Sequence, residues 1–295
     1  MDLGIKDRTA LVAASANGLG LATAIRLAME GCKVALCDLN EDALENAISQ
    51  VQKHALSDSH VRAFQVDLRS TESIAGLVNA VADELGTVSI LVTNSGGPPP
   101  GPFDSASDEK WISAFELVFL SAVRLIRECI PGMKEQKWGR IINFTSKTLT
   151  EPVPNLMLSN GVRLAVGGMA KTLSNEIAEY GVTVNNICPG PTSTDRAIVL
   201  AGARAEKKGI SVDEELAITA SKIPIGRLAD PDEPAALAAF LASDLARYIT
   251  GRSILVDGGA ACSAQLHGIL TLVNLSKCNS SSLFKSFALW SLSFK

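Results

Sequence analysis

The chain has few of the residues that metal sites and hydrolytic triads need. It contains only three histidines, His54, His60 and His267, whose spacing matches neither a zinc site nor a serine–histidine–aspartate triad. We therefore expect no bound metal. The six cysteines include no C-x-x-C pair, and most lie in apolar segments, where a free cysteine behaves as a small hydrophobic side chain. This pattern is typical of a reducing compartment.

The sequence also lacks a basic excess and long hydrophobic runs. The formal net charge is −4 and 20% of the residues are charged, so we expect no nucleic-acid partner. No stretch reaches the roughly 18 apolar residues of a membrane span, and residues 1–10 contain no apolar signal region. These absences predict a cytoplasmic protein that does not enter a membrane.

The stretch 9–29 predicts a strand, a glycine turn and a helix. An apolar run at 10–14 precedes a turn at 15–20, after which apolar residues recur at helical spacing as far as Ala28. Glycines in such a turn let the backbone approach a diphosphate, which the N–H groups and dipole of the helix N-terminus attract. Gly18 and Gly20 suit this role. Any tight strand-to-helix turn favours glycine, however, so the turn alone leaves both interpretations open.

Segments typical of strands and helices alternate along most of the chain. Further strands are predicted at 33–37, 61–66, 88–92, 140–144, 183–188 and 253–256, and helices at 41–53, 70–85, 111–129, 155–179 and 234–243. Pro131 and Gly132 are expected to end the third of these helices. The charged stretch 195–222 predicts one or two mobile helices that could close over a site.

This alternation predicts an α/β doubly wound Rossmann fold, with a parallel sheet of about seven strands and helices on both faces. Glycine, asparagine, serine or aspartate follows most of the predicted strands. Ligands of such folds bind beyond the carboxyl ends of the strands, so these polar clusters define the expected site.

Asp38 ends the second predicted strand, eighteen residues beyond Gly20. A carboxylate at this distance can accept hydrogen bonds from the adenosine ribose, and its charge repels the extra phosphate of NADP, which favours NAD. The alternative is that Asp38 or Asn40 caps the helix that follows. The two roles are compatible, since the residues are neighbours.

The alternating pattern ends near residue 261. Residues 1–261 are therefore predicted to form a single dinucleotide-binding domain. The remaining stretch, 262–295, contains eight serines and no acidic residue, and it has no clear amphipathic period. We predict a serine-rich tail that is not part of the core.

Taken in order, these motifs resemble the short-chain dehydrogenase/reductase family over residues 3–260, with particular similarity to 3-oxoacyl-acyl-carrier-protein reductases and related sugar or alcohol dehydrogenases. The family's T-G-x-x-x-G-x-G turn corresponds to residues 13–20, where Ala13 and Ala14 replace the opening threonine and glycine. The resemblance, together with the pattern above, implies NAD or NADP binding by residues from six segments: Asn17, Gly18, Leu19, Gly20, Asp38, Leu39, Asp67, Leu68, Asn94, Ser95, Gly96, Arg163, Pro189, Gly190 and Thr194.

The same resemblance implies an altered catalytic site. Family members polarise a carbonyl with a serine and protonate it from a tyrosine, whose pKa a lysine four residues later lowers. Ser146 matches the serine, whereas Ser159 and Arg163 stand at the tyrosine and lysine positions. Val118 stands where the family has an asparagine that supports a proton relay.

No displaced tyrosine–lysine pair exists, because neither Tyr180 nor Tyr248 has a lysine four residues later. An arginine is too weak an acid to donate a proton near neutrality, and a serine is a poorer donor than a phenol. General acid catalysis is worth about 10² to 10⁴ in rate, so we expect slow turnover. Lys147, beside Ser146, is a candidate substitute donor, and the alternative is that it faces solvent.

Two functions follow from these observations. The first is an NAD(P)-dependent oxidoreductase that reduces a carbonyl, such as a 3-oxoacyl thioester or a sugar, or oxidises the matching secondary alcohol. The second is a catalytically weak or inactive nucleotide-binding or scaffold protein. The resemblance also implies a homodimer or homotetramer built on the helices at 111–129 and 155–179. The small-molecule substrate is not specified, since the loops at 98–103, 148–157 and 195–222 show no recognisable anion clamp or aromatic cage.

Overall fold

One parallel sheet organises residues 1–262, the part of the chain that this computed structural model describes. Its seven strands lie in the order β3-β2-β1-β4-β5-β6-β7. This order reverses direction between β1 and β4, which opens a crevice at the carboxyl ends of the strands. The strands are β1 (Thr9–Ala13), β2 (Lys33–Asp38), β3 (Val61–Gln65), β4 (Val88–Thr93), β5 (Gly139–Phe144), β6 (Val182–Pro189) and β7 (Ser253–Val256).

Helices cover both faces of the sheet. Alternate residues of β1 enter two separate hydrophobic clusters, with Ala10 and Val12 in one and Leu11 and Ala13 in the other. The predicted doubly wound Rossmann fold is confirmed. The helices are α1 (Gly18–Met29), α2 (Glu41–Gln52), α3 (Thr71–Leu85), α4 (Asp108–Phe115), α5 (Ser121–Gln136), α6 (Met157–Ile177), α7 (Asp195–Lys208), α8 (Val212–Ser221) and α9 (Asp232–Ala242).

The helix predicted at 111–129 was wrong in both its continuity and its end. A π-helical turn, Glu116–Leu120, separates α4 from α5, and α5 continues through Pro131 to Gln136. Proline removes one helical hydrogen bond, but Cys129 and Met133 on either side of it are buried in the core. This packing outweighs the local penalty, so the helix does not end at the proline.

The charged stretch after β6 forms two helices, α7 and α8, held together by one buried acid. Arg204 and Lys208 of α7 form ion pairs with Glu215 of α8, whose side chain is only 3% exposed. The hydrogen bonds from Lys208 and Arg204 lower the pKa of Glu215. The pair of helices is thereby fixed as a unit beside the carboxyl end of β6.

Within residues 1–262, no helix combines the length and the apolar character needed to cross a bilayer. The serine-rich tail predicted at 262–295 lies outside the described residues except for Cys262. The domain boundary at residue 261 therefore stays a prediction.

Candidate active site

The turn between β1 and α1 presents hydrogen-bond donors to a ligand. The backbone N–H groups of Gly18, Leu19 and Gly20 have no acceptor among residues 1–262, and the first turn of α1 contains no acidic residue. Free donors at the positive end of a helix dipole attract an anion. This turn is therefore a suitable place for a diphosphate.

Gly20 is required by close packing within the turn. A Cβ at this position would lie 2.2 Å from the carbonyl oxygen of Ala14, so any side chain would push α1 away from the strand. The same oxygen accepts a hydrogen bond from Nδ2 of Asn94, at 3.2 Å. The end of β4 thus helps to fix the shape of the turn.

Ala14 adopts a left-handed conformation with φ of 47°, at the place where the family has a glycine. Left-handed backbone costs a residue with a Cβ about 1–2 kcal/mol, and the greater freedom of glycine in the unfolded chain offsets part of the gain. We expect Ala14→Gly to raise the free energy of unfolding by about 0.5–1 kcal/mol, or Tm by about 1–4 °C, in thermal denaturation.

Ala13→Gly is the matched control, since Ala13 is a buried strand residue with an ordinary backbone. This variant should lower Tm, because glycine weakens a strand interior. An equal loss of stability in both variants would show that Ala14 carries no strain.

A cavity of about 530 Å³ joins this turn to the carboxyl ends of β4, β5 and β6. Residues predicted from widely separated parts of the sequence meet here. The lining includes Asn17, Gly18, Leu19, Asp38, Asn94, Ser95, Gly96, Ser146, Ser159, Arg163, Pro189, Gly190 and Thr194.

Four of the predicted cofactor residues do not line this cavity. Gly20 packs inside the turn, Leu39 is 57% exposed and Leu68 is buried. Asp67 accepts hydrogen bonds from the guanidinium of Arg69, at 2.9 and 2.8 Å, and these bonds lower the pKa of Asp67. Cofactor contact by these four residues stays a prediction.

Of the two candidate caps of α2, Asn40 is the one that the structure supports, and ribose contact by Asp38 stays a prediction. The side-chain oxygen of Asn40 accepts from the N–H of Ala43, at 3.0 Å, and so caps α2. The Asp38 carboxylate accepts from the N–H groups of Leu39, at 2.8 Å, and Ala16, at 3.3 Å. The charge of Asp38 is thereby held beside the glycine turn at one end of the cavity.

Ser159 and Arg163 form a hydroxyl–cation pair one turn apart on α6. The Nε of Arg163 donates to the Oγ of Ser159, at 3.2 Å. Its Nη1 donates to the carbonyl oxygens of Thr145, at 2.9 Å, and Phe144, at 3.3 Å, which fixes the guanidinium at the end of β5. The Nη2 of Arg163 has no partner among the described residues and is free to bind a ligand.

The electrostatics of this pair define what it can do. Burial, together with the positive charge of Arg196, lowers the pKa of Arg163 to about 10, so the side chain stays cationic at neutral pH. Ser159 accepts the arginine's hydrogen bond and keeps its own proton for a ligand oxygen. Ser146, whose Oγ accepts from the N–H of Thr148 at 3.2 Å, likewise keeps its proton for a ligand. The site can polarise a carbonyl but holds no phenol.

Val118, which the resemblance aligns with the family's asparagine, brings no polar side chain to the site. It lies in the π-helical turn and is 5% exposed. Its side chain belongs to a buried hydrophobic cluster together with Ala114, Leu158, Val162 and Val166. A side chain without donor or acceptor cannot pass a proton, so no relay runs through this position.

The lining contains three cationic residues that are not among the predicted cofactor-binding and catalytic residues. Lys147, the candidate substitute donor, is half-buried in the cavity lining. Arg196 and Arg204 also line the cavity, and sequence reasoning missed both. The one available signal was the position of Arg196, two residues after the motif that ends at Thr194.

Known proteins share both the sequence pattern and the fold. A family model described as enoyl-(acyl carrier protein) reductase matches residues 13–261. The 3-oxoacyl-[acyl-carrier-protein] reductase FabG of Vibrio cholerae is 32% identical over 257 residues, which cover 87% of this chain and 98% of that protein. The NADPH-dependent reductase BacG of Bacillus subtilis is 31% identical with the same coverage.

A solved structure agrees with these relatives. L-sorbose reductase from Gluconobacter frateurii, complexed with NADPH and L-sorbose, superposes with a TM-score of 0.84 at 32% identity, covering 90% of this chain and 100% of that chain. The chain belongs to the short-chain dehydrogenase/reductase family of NAD(P)-dependent oxidoreductases. The resemblance inferred from its motifs is confirmed.

Proposed function

We propose that this protein interconverts a carbonyl and a secondary alcohol with a nicotinamide cofactor, using a proton-donating site that differs from the family's. The observation that carries the proposal is the convergence of the glycine turn with Ser146, Ser159 and Arg163 in one cavity. The substrate class extends to 3-oxoacyl thioesters and sugars, on which relatives named above act according to their names.

The residues of the cavity fit a dinucleotide. The free N–H groups of 18–20 suit the diphosphate, Asp38 suits the adenosine ribose, and Pro189 to Thr194 border the opposite end. A bound reduced nicotinamide supplies the hydride for the carbonyl carbon. The chain itself contributes the hydroxyl donors of Ser146 and Ser159, which bind the substrate oxygen.

Arg163 acts on this reaction through Ser159. Its Nε donates to the serine oxygen and so strengthens the donation of the serine proton. The proton that completes the alcohol comes from water through these hydroxyls, since neither Arg163 nor a serine is an effective acid near neutrality. Turnover is consequently slower than with a tyrosine, by about 10² to 10⁴.

The proposal is tested by mixing the purified protein with NADH or NADPH and a panel of a 3-oxoacyl thioester, a keto sugar and a small ketone. We expect slow loss of the reduced-nicotinamide absorbance with at least one of them. Dinucleotide binding by calorimetry without any turnover would instead support the second function, a nucleotide-binding protein without catalysis. The apolar surroundings of Val118 favour that alternative.

Asp38 supports a preference for NAD. The cationic side chains of the lining are Lys147, Arg163, Arg196 and Arg204, none of which belongs to the segments around Asp38 that would receive the 2′-phosphate of NADP. We expect Asp38→Asn, which preserves size and hydrogen-bond acceptance, to lower the ratio of NAD to NADP affinity by about tenfold or more. Calorimetric titration with both dinucleotides measures the ratio.

Asp42→Asn provides the control for this substitution. Asp42 is an exposed acid in the first turn of α2 and does not line the cavity. Its removal should leave the ratio unchanged. A strong preference for NADP in the unaltered protein would contradict the assignment of Asp38.

We also propose that the protein is a homodimer or homotetramer of the cytoplasm. An apolar groove on α5 and α6 includes Ile130, Pro131, Met169 and Leu173. Sedimentation equilibrium tests the assembly, and Leu173→Asp should shift it toward the monomer.

The five cysteines of the described residues are free, which suits the reducing compartment of the cytoplasm.

A further inference from the structure

Two arginines in the cavity have no acidic partner. Arg163 and Arg196 both line it, and neither forms an ion pair with any of the described residues. The third arginine of the lining, Arg204, is paired with Glu215. A half-buried cation normally acquires a counter-charge, so two unpaired ones in the same cavity need an explanation.

The head group of Arg196 is held in place by the loop after β4. Its Nη2 donates to the carbonyl oxygen of Pro98, and its guanidinium packs against Gly97, where a Cβ would lie 2.9 Å from Cζ. Its Nε and Nη1 have no partner in the part of the chain that the structure describes. Arg163 is fixed at the end of β5 and offers its free Nη2.

Arg163 and Arg196 each bring a positive charge to the same cavity. Burial and, after it, the charge of Arg196 lower the pKa of Arg163, so the two charges repel, and burial lowers the pKa of Arg196 itself. The carboxylates of the lining do not relieve this repulsion, since Asp38 is hydrogen-bonded beside the glycine turn and Asp195 is exposed and pairs with neither arginine. An anion bound between them would relieve it.

The position of Arg163 favours the substrate over the diphosphate of the cofactor. The diphosphate has its own donors at the N-terminus of α1, whereas Arg163 contacts Ser159 and the end of β5 that leads to Ser146. An anion bound at Arg163 therefore lies beside the hydroxyls that bind the carbonyl oxygen. A carboxylate matches the planar donors of arginine best.

We infer that the substrate is an oxo acid, whose carboxylate is bound by Arg196 and the free Nη2 of Arg163 while its ketone oxygen meets Ser146 and Ser159. This inference rests on the proposed oxidoreductase function and specifies its substrate. Such a clamp would be assembled from two helices, so no local pattern in the loop at 195–222 would show it.

The first test compares acetoacetate with 4-hydroxy-2-butanone, a neutral ketone of similar size in which a hydroxymethyl group replaces the carboxylate. We expect kcat/KM to be at least about tenfold higher for acetoacetate, as one charge-assisted contact implies. Arg196→Gln should reduce this ratio to within about threefold of unity. Arg62→Gln, which removes an exposed cation outside the cavity, should leave the ratio unchanged. Equal ratios in the Arg196→Gln variant and the unaltered protein would overturn the inference.

The second test needs no turnover and so separates this inference from the proposed function. Calorimetry with malonate and with neutral malonamide is performed at constant ionic strength, with and without saturating NAD. We expect malonate to bind and malonamide not to bind. Saturating NAD should leave the binding of malonate in place, and Arg196→Gln should weaken it by about tenfold or more. Competition between malonate and NAD would assign the arginines to the cofactor and overturn the inference. Equal binding of malonamide and malonate would also overturn it.

Thermal denaturation of every variant checks that it is folded. Arg196→Lys serves as a second variant, since it keeps the charge and loses the planar donor pair. Its malonate affinity should fall between those of the unaltered protein and Arg196→Gln. An affinity as low as that of Arg196→Gln would mean that donor geometry dominates, whereas unchanged affinity in both variants contradicts the proposed clamp.

Discussion

Replacing Ser159 with tyrosine and Arg163 with lysine is expected to raise kcat for ketone reduction by about 10² to 10⁴. The pair already has the geometry that this chemistry uses, because the two positions lie one helical turn apart and both side chains line the cavity. A phenol has a pKa of about 10, which a neighbouring ammonium lowers toward neutrality. The substitution thus restores an acid where the present chain has a hydroxyl that donates poorly.

The control is the double variant Ser159→Phe with Arg163→Lys, which has the same ring and cation but no phenolic hydroxyl. Initial rates are measured with 4-hydroxy-2-butanone, because a neutral ketone does not need the carboxylate clamp, from which both double variants remove Arg163. The tyrosine variant should exceed the phenylalanine variant by the full factor. Equal rates would mean that the cavity does not place a carbonyl beside position 159.

Val118 sets an upper limit on this gain. The apolar cluster around it offers no path from the new phenol to solvent through that position. Adding Val118→Asn to the double variant tests the limit, although it places a polar group in a packed cluster and will lower stability. A further increase in kcat would assign the missing relay to Val118.

Replacing Arg140 with methionine is expected to lower the free energy of unfolding by about 3 kcal/mol, or Tm by about 6–12 °C. Arg140 is 2% exposed at the start of β5. Its guanidinium donates to the carbonyl oxygens of Gly139, Ser243 and Gly181, at 2.8, 3.2 and 3.2 Å. Methionine fills similar space but leaves these three buried acceptors without their donor.

Two further contacts depend on Arg140. Its Nη2 donates to Oδ1 of Asp244, at 3.2 Å, and its guanidinium lies 4.2 Å from the ring centre of Trp138. Arg26→Met is the matched control, since Arg26 forms an exposed ion pair with Asp232, a kind of pair worth about 0–1 kcal/mol. Chemical denaturation compares the two variants, and a similar small loss in both would contradict the structural role of Arg140.

The local sequence was sufficient to predict the strands and the edge of the sheet at which the candidate site lies. Strand β7 has the predicted limits, and the other strands deviate by about one residue. Short apolar runs followed by glycine or a small polar residue leave few alternatives to a buried parallel strand. The predicted cavity residues followed for the same reason, because the carboxyl ends of parallel strands meet at one edge.

Local sequence failed where distant packing decides the outcome. Pro131 predicts the end of a helix, yet burial of Cys129 and Met133 carries α5 past it. Ala14 has a left-handed backbone, and its carbonyl oxygen is held between Gly20, which packs on it, and Asn94, which donates to it. None of these contacts is visible from the residues on either side.

The sequence by itself determined the doubly wound fold, predicted the glycine turn at 15–20 as the nucleotide site, and placed Ser159 and Arg163 where the family resemblance implies a tyrosine–lysine pair. These features depend on residue type, order and spacing, which a single chain displays directly. The tertiary structure decided the burial of Arg140 and the lack of an acidic partner for Arg163 and Arg196 among residues 1–262. Whether a charge is compensated depends on every side chain that reaches it through space, and for these arginines the relevant groups come from separate strands, loops and helices.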